Sequence, residues 1–390
     1  MKKKLKTMTP DGTTDLLFAQ CNARREVERR LRGIFSGRDY HEVVTPTLEF
    51  YDVFASGTQQ VAGEQMYKLT DNKGRLLVLR PDSTIPIARL VGTKLKDSTK
   101  PVRLFYCQNV FNVTDAERGK QTESCQMGLE LLGISSKSAD IEVIYTALRA
   151  VRELGISDYR LEIGHSGLFR RAAAQLCVTD DKKEEIRELI ESKNYPALYR
   201  CLEDVPAVPE REMLRKLPSL FGGEEVLEEA AKEQWDDETA AVIGYLTSLY
   251  DELKGLPDAD KISFDLGLVN DQNYYSGVIF RVYAKGYGEA VMSGGRYDKL
   301  VSEFSADIPA IGFGVDVDAV AKNMLAASTD GYEKRADCIV FAEKGRRAAG
   351  LTLQEKLISE GKRVEYCLLE SREKLEDYAR EKGIGEVYIV

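Results

Sequence analysis

Hydrophobic and polar positions in the first third of the chain follow two different periods. After the turn Thr9-Pro10-Asp11-Gly12, apolar residues three or four positions apart predict an amphipathic helix that starts at Thr13 or Thr14 and stops at Gly37. Alternation and turn residues predict strands at 42–45, 65–69, 75–79, 102–113, 124–132 and 159–163, with a helix at 139–154. We expect 65–79 and 102–132 to be hairpins, so antiparallel pairing begins early.

The middle of the chain changes to helical periodicity. From about residue 165 to 260 no strand pattern is convincing, and prolines at 196, 206, 209 and 218 divide the helices. Strand patterns return at 262–266, 274–283, 289–292 and 308–315, and Gly294-Gly295 predicts the start of a helix before the last of them. We interpret 165–260 as a helical insertion, after which the chain resumes the first sheet.

The last sixty residues alternate strand and helix patterns. They are predicted at 338–341, 348–359, 364–368, 372–382 and 387–390, which make a small βαβαβ unit. The sequence therefore predicts an α+β fold with two domains. Residues 1–328 form a core with a mostly antiparallel sheet flanked by helices, and 329–390 form a small α/β domain.

Composition narrows the function. A chain of 390 residues that is 43% apolar and 31% charged is typical of globular proteins, and no segment has the ~18 apolar residues of a membrane helix. We expect a cytoplasmic protein with no membrane partner. Seven cysteines without a Cys-x-x-Cys pair argue against a disulfide framework or zinc site, and two histidines argue against a His-rich metal site or a serine-hydrolase triad. No metal or cofactor is expected.

Charge argues against nucleic acid as a partner. Sixty-four acidic and 55 basic side chains give a net charge of −9 and a pI near 5.2, whereas each phosphate contact requires a lysine or an arginine. A local basic patch could still bind RNA.

Two segments place polar groups where a pocket could form. Asp82 and Thr84 lie at a strand-to-helix junction, where a carboxylate, a hydroxyl and free helix N–H groups can meet a small zwitterion, although such residues also cap helices. In 125–130, Gln126 and Glu130 share one strand face, which indicates either a pocket floor or a half-exposed strand.

Two further segments carry glycines and tyrosines. Asn273-Tyr-Tyr-Ser-Gly-Val-Ile-Phe280 and Ser293-Gly-Gly-Arg-Tyr-Asp298 would allow close approach of a ligand to the backbone, although tyrosines usually pack and paired glycines usually form turns. In this order, the four segments resemble the histidyl-tRNA synthetase family of class II aminoacyl-tRNA synthetases, over roughly residues 8–325. Thr45-Pro46 is similar to that family's dimer-forming first motif.

The resemblance implies a histidine pocket. In the synthetases a carboxylate and a hydroxyl hold the amino group of histidine, and the imidazole meets a glutamate and a tyrosine. The matching histidine-binding positions here are Asp82, Thr84, Gln126, Glu130, Tyr274 and Tyr275. A buried carboxylate beside an imidazole N–H would reject apolar amino acids.

The resemblance does not extend to catalysis. The family uses three arginines to stabilise the phosphate during amino-acid activation, and the matching positions here are Asn112, Asn270 and Ala319. Each lost donor typically costs ~10²- to 10³-fold in rate, so we expect no adenylation and no catalytic residue. Arg118 and Lys120 are candidates for weak anion binding, or they belong to a solvated loop.

The C-terminal segment is not basic, with 12 Lys/Arg against 13 Asp/Glu from residue 330 onward, so tRNA is an improbable partner. Such a chain resembles the regulatory subunits of ATP phosphoribosyltransferase. That resemblance implies a homodimer, assembly with the short-form catalytic subunit at the first step of histidine biosynthesis, and feedback inhibition by L-histidine. The alternatives are a working histidyl-tRNA synthetase and a synthetase-derived histidine-binding or RNA-linked adaptor.

Overall fold

The computed structural model describes residues 5–55, 61–114, 121–269, 274–305, 307–328, 332 and 334–390. The chain divides into two compact units. One comprises Met1–Asp15 and Ala23–Ala326, and the other comprises Leu16–Asn22 and Ala327–Val390. We retain the predicted domains, 1–328 and 329–390, as a proposal.

The larger unit contains two sheets. Its strands are β1 (His41–Glu42), β2 (Leu48–Phe50), β3 (Lys68–Thr70), β4 (Leu76–Leu79), β5 (Val102–Phe111), β6 (Glu123–Leu132), β7 (Tyr159–His165), β8 (Phe221–Gly222), β9 (Ile262–Asp265), β10 (Val278–Ala284), β11 (Met292–Arg296) and β12 (Ala310–Asp316). In the described residues, nine of them form a central sheet in the order β1-β5-β6-β12-β11-β10-β7-β9-β8, and β2-β4-β3 form a small sheet. Among the described strands of the central sheet, only β1–β5 and β7–β9 are parallel pairs, which confirms the predicted mostly antiparallel α+β core.

Helices cover this core and form the insertion. They are α1 (Phe18–Ser36), α2 (Asp52–Ala55), α3 (Thr84–Lys94), α4 (Lys137–Glu153), α5 (Ser166–Gln175), α6 (Asp180–Glu191), α7 (Tyr195–Glu203), α8 (Pro209–Lys216), α9 (Glu224–Ala231), α10 (Asp237–Leu253) and α11 (Val317–Ala327). Helices α5 to α10 occupy the predicted insertion, where the two-residue strand β8 is an addition to the expectation. None of the described helices has the length and apolar character that crossing a lipid bilayer requires.

The two faces of the β5–β6 pair have different neighbours. On one face, α1 packs its buried Phe35 against Phe105 and Phe313, with ring centroids 5.8 Å apart in both pairs. On the other face, Tyr106 belongs to a buried apolar cluster with residues of β4 and α3 such as Val78 and Ile87. The second face is where the small sheet and α3 enclose polar groups.

The prediction of a helix opening at Gly294-Gly295 is wrong, because both residues lie inside β11. A Cβ atom at Gly295 would lie 2.7 Å from the carbonyl oxygen of Val278, and one at Gly294 would collide with the carbonyl oxygen of Gly312. The glycines therefore permit tight packing between neighbouring strands rather than a turn.

Several boundaries also differ from the prediction, and the strand expected at 289–292 lies instead at Met292–Arg296. Helix α1 begins at Phe18 rather than at Thr13 or Thr14, and the strand expected at 42–45 is limited to His41–Glu42. The strand expected from Tyr274 begins at Val278, so both tyrosines precede it. Ends of elements depend on local hydrogen bonds that hydrophobic periodicity does not encode.

The smaller unit has the predicted alternation of strand and helix. Its elements are β13 (Cys338–Phe341), α12 (Arg347–Ser359), β14 (Val364–Tyr366), α13 (Arg372–Lys382) and β15 (Glu386–Ile389). Strand β13 is central and parallel to both neighbours. Ile339 packs with Leu375 of α13, whereas Val340 packs with Leu357 of α12, so a helix covers each face.

Candidate functional site

A small cavity of about 20 Å³ lies on the face of the central sheet opposite α1. Its lining includes all six residues predicted from the sequence, namely Asp82, Thr84, Gln126, Glu130, Tyr274 and Tyr275. They come from the β4–α3 junction, from β6 and from the segment that precedes β10. That volume has room for about one water and is far below the roughly 300–1,000 Å³ of small-molecule sites, so a bound amino acid requires the lining side chains to move apart.

The β4–α3 junction supplies a helix cap and a cavity wall with the same residues. One carboxylate oxygen of Asp82 accepts a 2.8 Å hydrogen bond from the backbone N–H of Ile85, which caps the first turn of α3. Asp82 and Thr84 are nonetheless both part of the cavity lining. The two interpretations of this segment from the sequence are therefore compatible.

Glu130 forms the buried floor of the cavity. Its side chain is 1% exposed, so the strand face that carries it does not look into bulk water. The hydroxyl of Thr84 donates a 2.9 Å hydrogen bond to one carboxylate oxygen, and the hydroxyl of Tyr297 donates a short hydrogen bond to the other. Both donors are neutral, so they orient the carboxylate without neutralising its charge.

Burial raises the pKa of Glu130 to about 8, because the charged form loses its hydration. The hydrogen bonds from Tyr297 and Thr84 lower the pKa of Glu130, and the nearby carboxylate of Asp82 raises it. Among the described residues, no lysine or arginine lines the cavity. The cavity is therefore suited to a ligand that brings positive charge or N–H donors, and it has no cation for a phosphate.

A tyrosine on the neighbouring strand completes the floor. Tyr106 lies opposite Gly128 in the β5–β6 register, and its hydroxyl donates a 3.2 Å hydrogen bond to the side-chain oxygen of Gln126. A Cβ at Gly128 would lie 2.5 Å from the Tyr106 hydroxyl. Glycine at 128 therefore makes the room that the tyrosine ring needs.

Aromatic rings form one wall. The ring of Tyr274 lies 4.8 Å from that of Tyr275 and 5.7 Å from that of Tyr297, measured between centroids. Such tilted arrangements are favourable between aromatic side chains. A planar ligand ring would therefore meet an aromatic wall and a carboxylate in the same cavity.

Two of the three positions where the synthetases have arginines, Asn112 and Ala319, lie among the described residues. Asn112 donates a 3.1 Å hydrogen bond from its side-chain amide to the carbonyl oxygen of Pro81, so it supports the β4–α3 junction. At the start of α11, the backbone N–H of Ala319 donates to the carboxylate of Asp316 at 2.9 Å. Asn270, and the weak anion-binding candidates Arg118 and Lys120, lie outside the described residues.

The sequence interpretation missed six lining residues, Tyr106, Ser293, Tyr297, Gly312, Phe313 and Gly314. Tyr297 lies in a segment that the resemblance singled out, and its position one residue after β11 brings its hydroxyl to Glu130. A signal for Tyr106 was available in the pairing of a large residue with Gly128 across the hairpin. Ser293 had no distinguishing pattern.

Comparison with known proteins agrees with the resemblance found in the sequence. The family model described as histidyl-tRNA synthetase matches residues 12–320. A protein of Clostridium acetobutylicum named ATP phosphoribosyltransferase regulatory subunit is 38% identical over 387 residues, which are 98% of this chain and 95% of the relative. A protein of Bacillus cereus strain G9842 with the same name is 38% identical and covers 98% of this chain and 92% of its own length.

Solved structures agree with this grouping. A crystal structure from Bacillus halodurans C, described as an ATP phosphoribosyltransferase regulatory subunit/histidyl-tRNA synthetase, has a TM-score of 0.87 at 30% identity and covers 100% of this chain and 99% of that chain. Histidyl-tRNA synthetase from Nostoc sp. PCC 7120 has a TM-score of 0.78 at 18% identity, covers 98% of this chain and 90% of that chain, and shows a shared fold alone. The chain therefore belongs to the histidyl-tRNA synthetase-like family of ATP phosphoribosyltransferase regulatory subunits.

Proposed function

We propose that this chain is a non-catalytic regulatory subunit of ATP phosphoribosyltransferase in the cytoplasm. It assembles with the short-form catalytic subunit, is required for the first step of histidine biosynthesis, and mediates feedback inhibition by L-histidine. The observation that carries the proposal is the cavity, which has two carboxylates and two tyrosines with tilted rings but, in the described part of the chain, no basic side chain. The names of relatives 38% identical over nearly the whole chain support the same conclusion.

Histidine matches the groups of the cavity. Its ammonium requires an anion and a hydroxyl, which Asp82 and Thr84 supply at the start of α3. Its imidazole N–H requires a buried acceptor, and the carboxylate of Glu130 is the more deeply buried of the two carboxylates in the cavity. Gln126, Tyr274 and Tyr275 complete the lining around these two groups.

The same cavity is unsuited to amino-acid activation with ATP. Negative charge on a phosphate in transfer needs placed cations, and the three positions that the synthetase resemblance assigns to arginines are Asn112, Asn270 and Ala319. We expect no histidine-dependent exchange of pyrophosphate with ATP and no charging of tRNA. Exchange at a synthetase-like rate would favour the alternative of a working histidyl-tRNA synthetase.

Reconstitution with the partner tests the proposal directly. On mixing with a purified short-form ATP phosphoribosyltransferase, the chain should raise the activity, and added L-histidine should lower the activity of the complex. Coupling of this kind between two sites typically amounts to about 1–3 kcal/mol. An adaptor without this role would bind histidine but would leave the phosphoribosyltransferase unchanged.

Homodimer formation is the second part of the proposal, and the small sheet supports it. Leu48, Phe50 and Leu69 are 47%, 44% and 42% exposed, and the strand register puts them on one face with Leu77 and Leu79. Apolar side chains from three strands on one exposed face are typical of an interface. This face directly follows Thr45-Pro46, the segment similar to the dimer-forming motif.

Sedimentation of the purified chain tests the dimer. Phe50→Asp places a charge on the apolar face and should shift the chain from dimer to monomer. Thr70→Asp changes an exposed residue on the opposite face of the same sheet, and it should leave the sedimentation unchanged. A monomeric wild-type chain, or equal behaviour of both variants, would contradict the proposed interface.

A further inference from the structure

Two cysteines face each other on the α1 side of the β5–β6 pair, away from the cavity. The sulfur atoms of Cys107 and Cys125 are 3.9 Å apart, and both thiols are free. Cys107 pairs with Met127 in the strand register and Cys125 pairs with Asn109, so the cysteines are diagonal neighbours. Cys125 is 2% exposed and Cys107 is partly exposed, so only one of the two sulfurs is open to a solute.

Charged groups surround the pair. Glu28 of α1 places a carboxylate oxygen within 4.8 Å of both sulfurs. Arg24, also of α1, forms ion pairs with Glu28 at 3.4 Å and with Asp318 at 3.6 Å, and it interacts with Cys125. Arg32 acts on Cys107 from the next turns of the same helix. Two arginines therefore approach the sulfurs from α1.

A metal ion fits this cluster poorly, although its three potential ligand atoms are close together. Glu28 already forms ion pairs with Arg24 and, at 2.6 Å, with Arg25. A bound cation would have to displace both partners and would meet the repulsion of Arg32 as well. The arrangement favours a thiolate without a metal, since a thiolate is the anion that these arginines stabilise.

The surroundings of the two cysteines favour the sulfur of Cys107 as the nucleophile. The contact with the sulfur of Cys125, in which either thiol can donate, lowers the pKa of Cys107, and the cations Arg32 and Arg24 lower it further. Burial and the carboxylate of Glu28 oppose that shift. The pKa of Cys125 is raised, first by its contact with the sulfur of Cys107 and then by burial. The more exposed cysteine is therefore the one that ionises.

We propose that Cys107 and Cys125 form a reversible intramolecular disulfide when the chain meets a peroxide. The Cys107 thiolate attacks one oxygen of hydrogen peroxide, the O–O bond breaks, and a sulfenic acid and a hydroxide ion form. The sulfur of Cys125 then attacks the sulfenic sulfur, the S–S bond forms, and the hydroxyl leaves as water with the proton of Cys125. Each sulfur loses one electron in total, and the peroxide is reduced to two molecules of water once the hydroxide takes up the proton that Cys107 released on ionisation.

The register requires a local shift of the two strands before this bond can form. Diagonal neighbours across antiparallel strands lie roughly 7–8 Å apart, whereas disulfides prefer Cα separations of about 4.4–6.8 Å, so the bond would be strained. The sulfurs must also approach from 3.9 Å to about 2.05 Å. Strained disulfides have higher reduction potentials and are labile, so the bond acts as a switch rather than a permanent link.

Peptide mapping of the full chain tests the proposal. Trypsin cleaves after Arg118 and Lys120, so the two cysteines fall in different peptides. After hydrogen peroxide treatment and alkylation without reductant, we expect one linked pair of peptides that contains Cys107 and Cys125 and disappears on reduction. The pair should be absent from Cys107→Ser and from Cys125→Ser, and present in Cys177→Ser, which removes an exposed cysteine.

Further measurements separate the competing outcomes. Arg32→Gln should slow the modification of Cys107 several-fold and leave that of Cys177 unchanged. Oxidation of Cys107 to sulfinic acid without a linked peptide would overturn the proposal, and so would equal peroxide reactivity of Cys107 and Cys177. Zinc bound in equimolar amount by the reduced chain, and lost in Cys107→Ser, would identify a metal site instead. None of these readouts depends on histidine binding or on the catalytic partner.

Discussion

Two carboxylates in the larger unit are buried to nearly the same extent but have different partners. Glu130 of β6 is 1% exposed and Asp140 of α4 is 2% exposed. Asp140 accepts hydrogen bonds from the guanidinium of Arg296, one of them at 2.8 Å, and from the hydroxyl of Tyr245. Glu130 accepts hydrogen bonds from the hydroxyls of Thr84 and Tyr297. One carboxylate has a cation in the protein and the other has two neutral donors.

This difference separates a structural charge from a charge that is available to a ligand. A buried carboxylate without a cation is costly, so it is protonated or it obtains a counter-charge from a bound molecule. The Arg296–Asp140 pair joins β11 to α4 and requires nothing else. Glu130, whose pKa is raised to about 8, lines a cavity into which a ligand can bring positive charge.

The largest effect is expected from removing Arg296, the cation that neutralises the carboxylate of Asp140. Arg296→Met leaves Asp140 buried with only the hydroxyl of Tyr245, and loss of one partner of a buried ion pair typically costs about 3–5 kcal/mol. Urea unfolding should show this loss in the free energy of unfolding. The double variant Asp140→Asn/Arg296→Met should recover part of the loss, because no uncompensated charge is left. A single variant within about 1 kcal/mol of wild type would contradict the comparison.

The next effect concerns the pH dependence of stability that the raised pKa of Glu130 should produce. A carboxyl whose pKa rises on folding from 4.5 to about 8 stabilises the folded state fully below pH 4.5 and loses that contribution as the pH rises through about 8. Glu130→Gln removes this titration. Relative to wild type, the variant should gain about 2–3 kcal/mol of unfolding free energy between about pH 6 and pH 8, at ~1.4 kcal/mol per pH unit.

Urea unfolding of both proteins across that range measures this difference. Glu123→Gln is a matched control, since Glu123 begins the same strand and is not part of the cavity lining. Its carboxylate accepts a hydrogen bond from the side-chain amide of Asn109. A constant difference between wild type and Glu130→Gln would show that Glu130 does not titrate in this range.

The third effect tests whether the carboxylate without a cation serves a ligand. If L-histidine occupies the cavity, Glu130→Gln removes a charge-assisted acceptor worth about 1–3 kcal/mol, so the half-inhibitory histidine concentration should rise about ten-fold or more. Inhibition curves of the complex with the catalytic subunit measure it, and Glu123→Gln should leave them unchanged. An unaltered curve for Glu130→Gln in a complex that still assembles would place the effector site elsewhere.

Much of the fold could be predicted from the sequence, because the spacing of apolar residues shows which face of a helix or strand is buried. It predicted the β5–β6 hairpin and the βαβαβ unit, and the synthetase resemblance selected six residues that the structure brings to one cavity. It failed at Gly294-Gly295, where only the neighbouring strands explain the glycines.

Contacts between side chains that are far apart along the chain could not be predicted either. Tyr297 is 167 positions from Glu130, and no local pattern indicates that its hydroxyl meets that carboxylate. The ion pair of Arg296 with Asp140 spans 156 positions and was missed for the same reason.

The smallest effect compares one tyrosine hydroxyl at each carboxylate. Tyr297→Phe removes one of the two hydroxyl donors to Glu130, whereas Tyr245→Phe removes a donor from Asp140, which keeps Arg296. We expect Tyr297→Phe to cost about 1 kcal/mol at pH 6 and more above pH 8, where the ionised carboxylate accepts a stronger, charge-assisted bond. Above pH 8, Tyr245→Phe should lower the free energy of unfolding by less than this, because the guanidinium of Arg296 still donates hydrogen bonds to Asp140.

A double-mutant cycle decides whether the hydroxyl of Tyr297 acts through Glu130 or only packs in the aromatic wall. Combined with Glu130→Gln, the effect of Tyr297→Phe should lose its pH dependence, since the amide does not ionise, and the coupling energy at pH 9 should be roughly 0.5–1.5 kcal/mol. A packing role would give the same loss of stability at every pH and no coupling. In that case Glu130 would be held by Thr84 alone, and the contrast with Asp140 would rest on burial rather than on the kind of donor each carboxylate has.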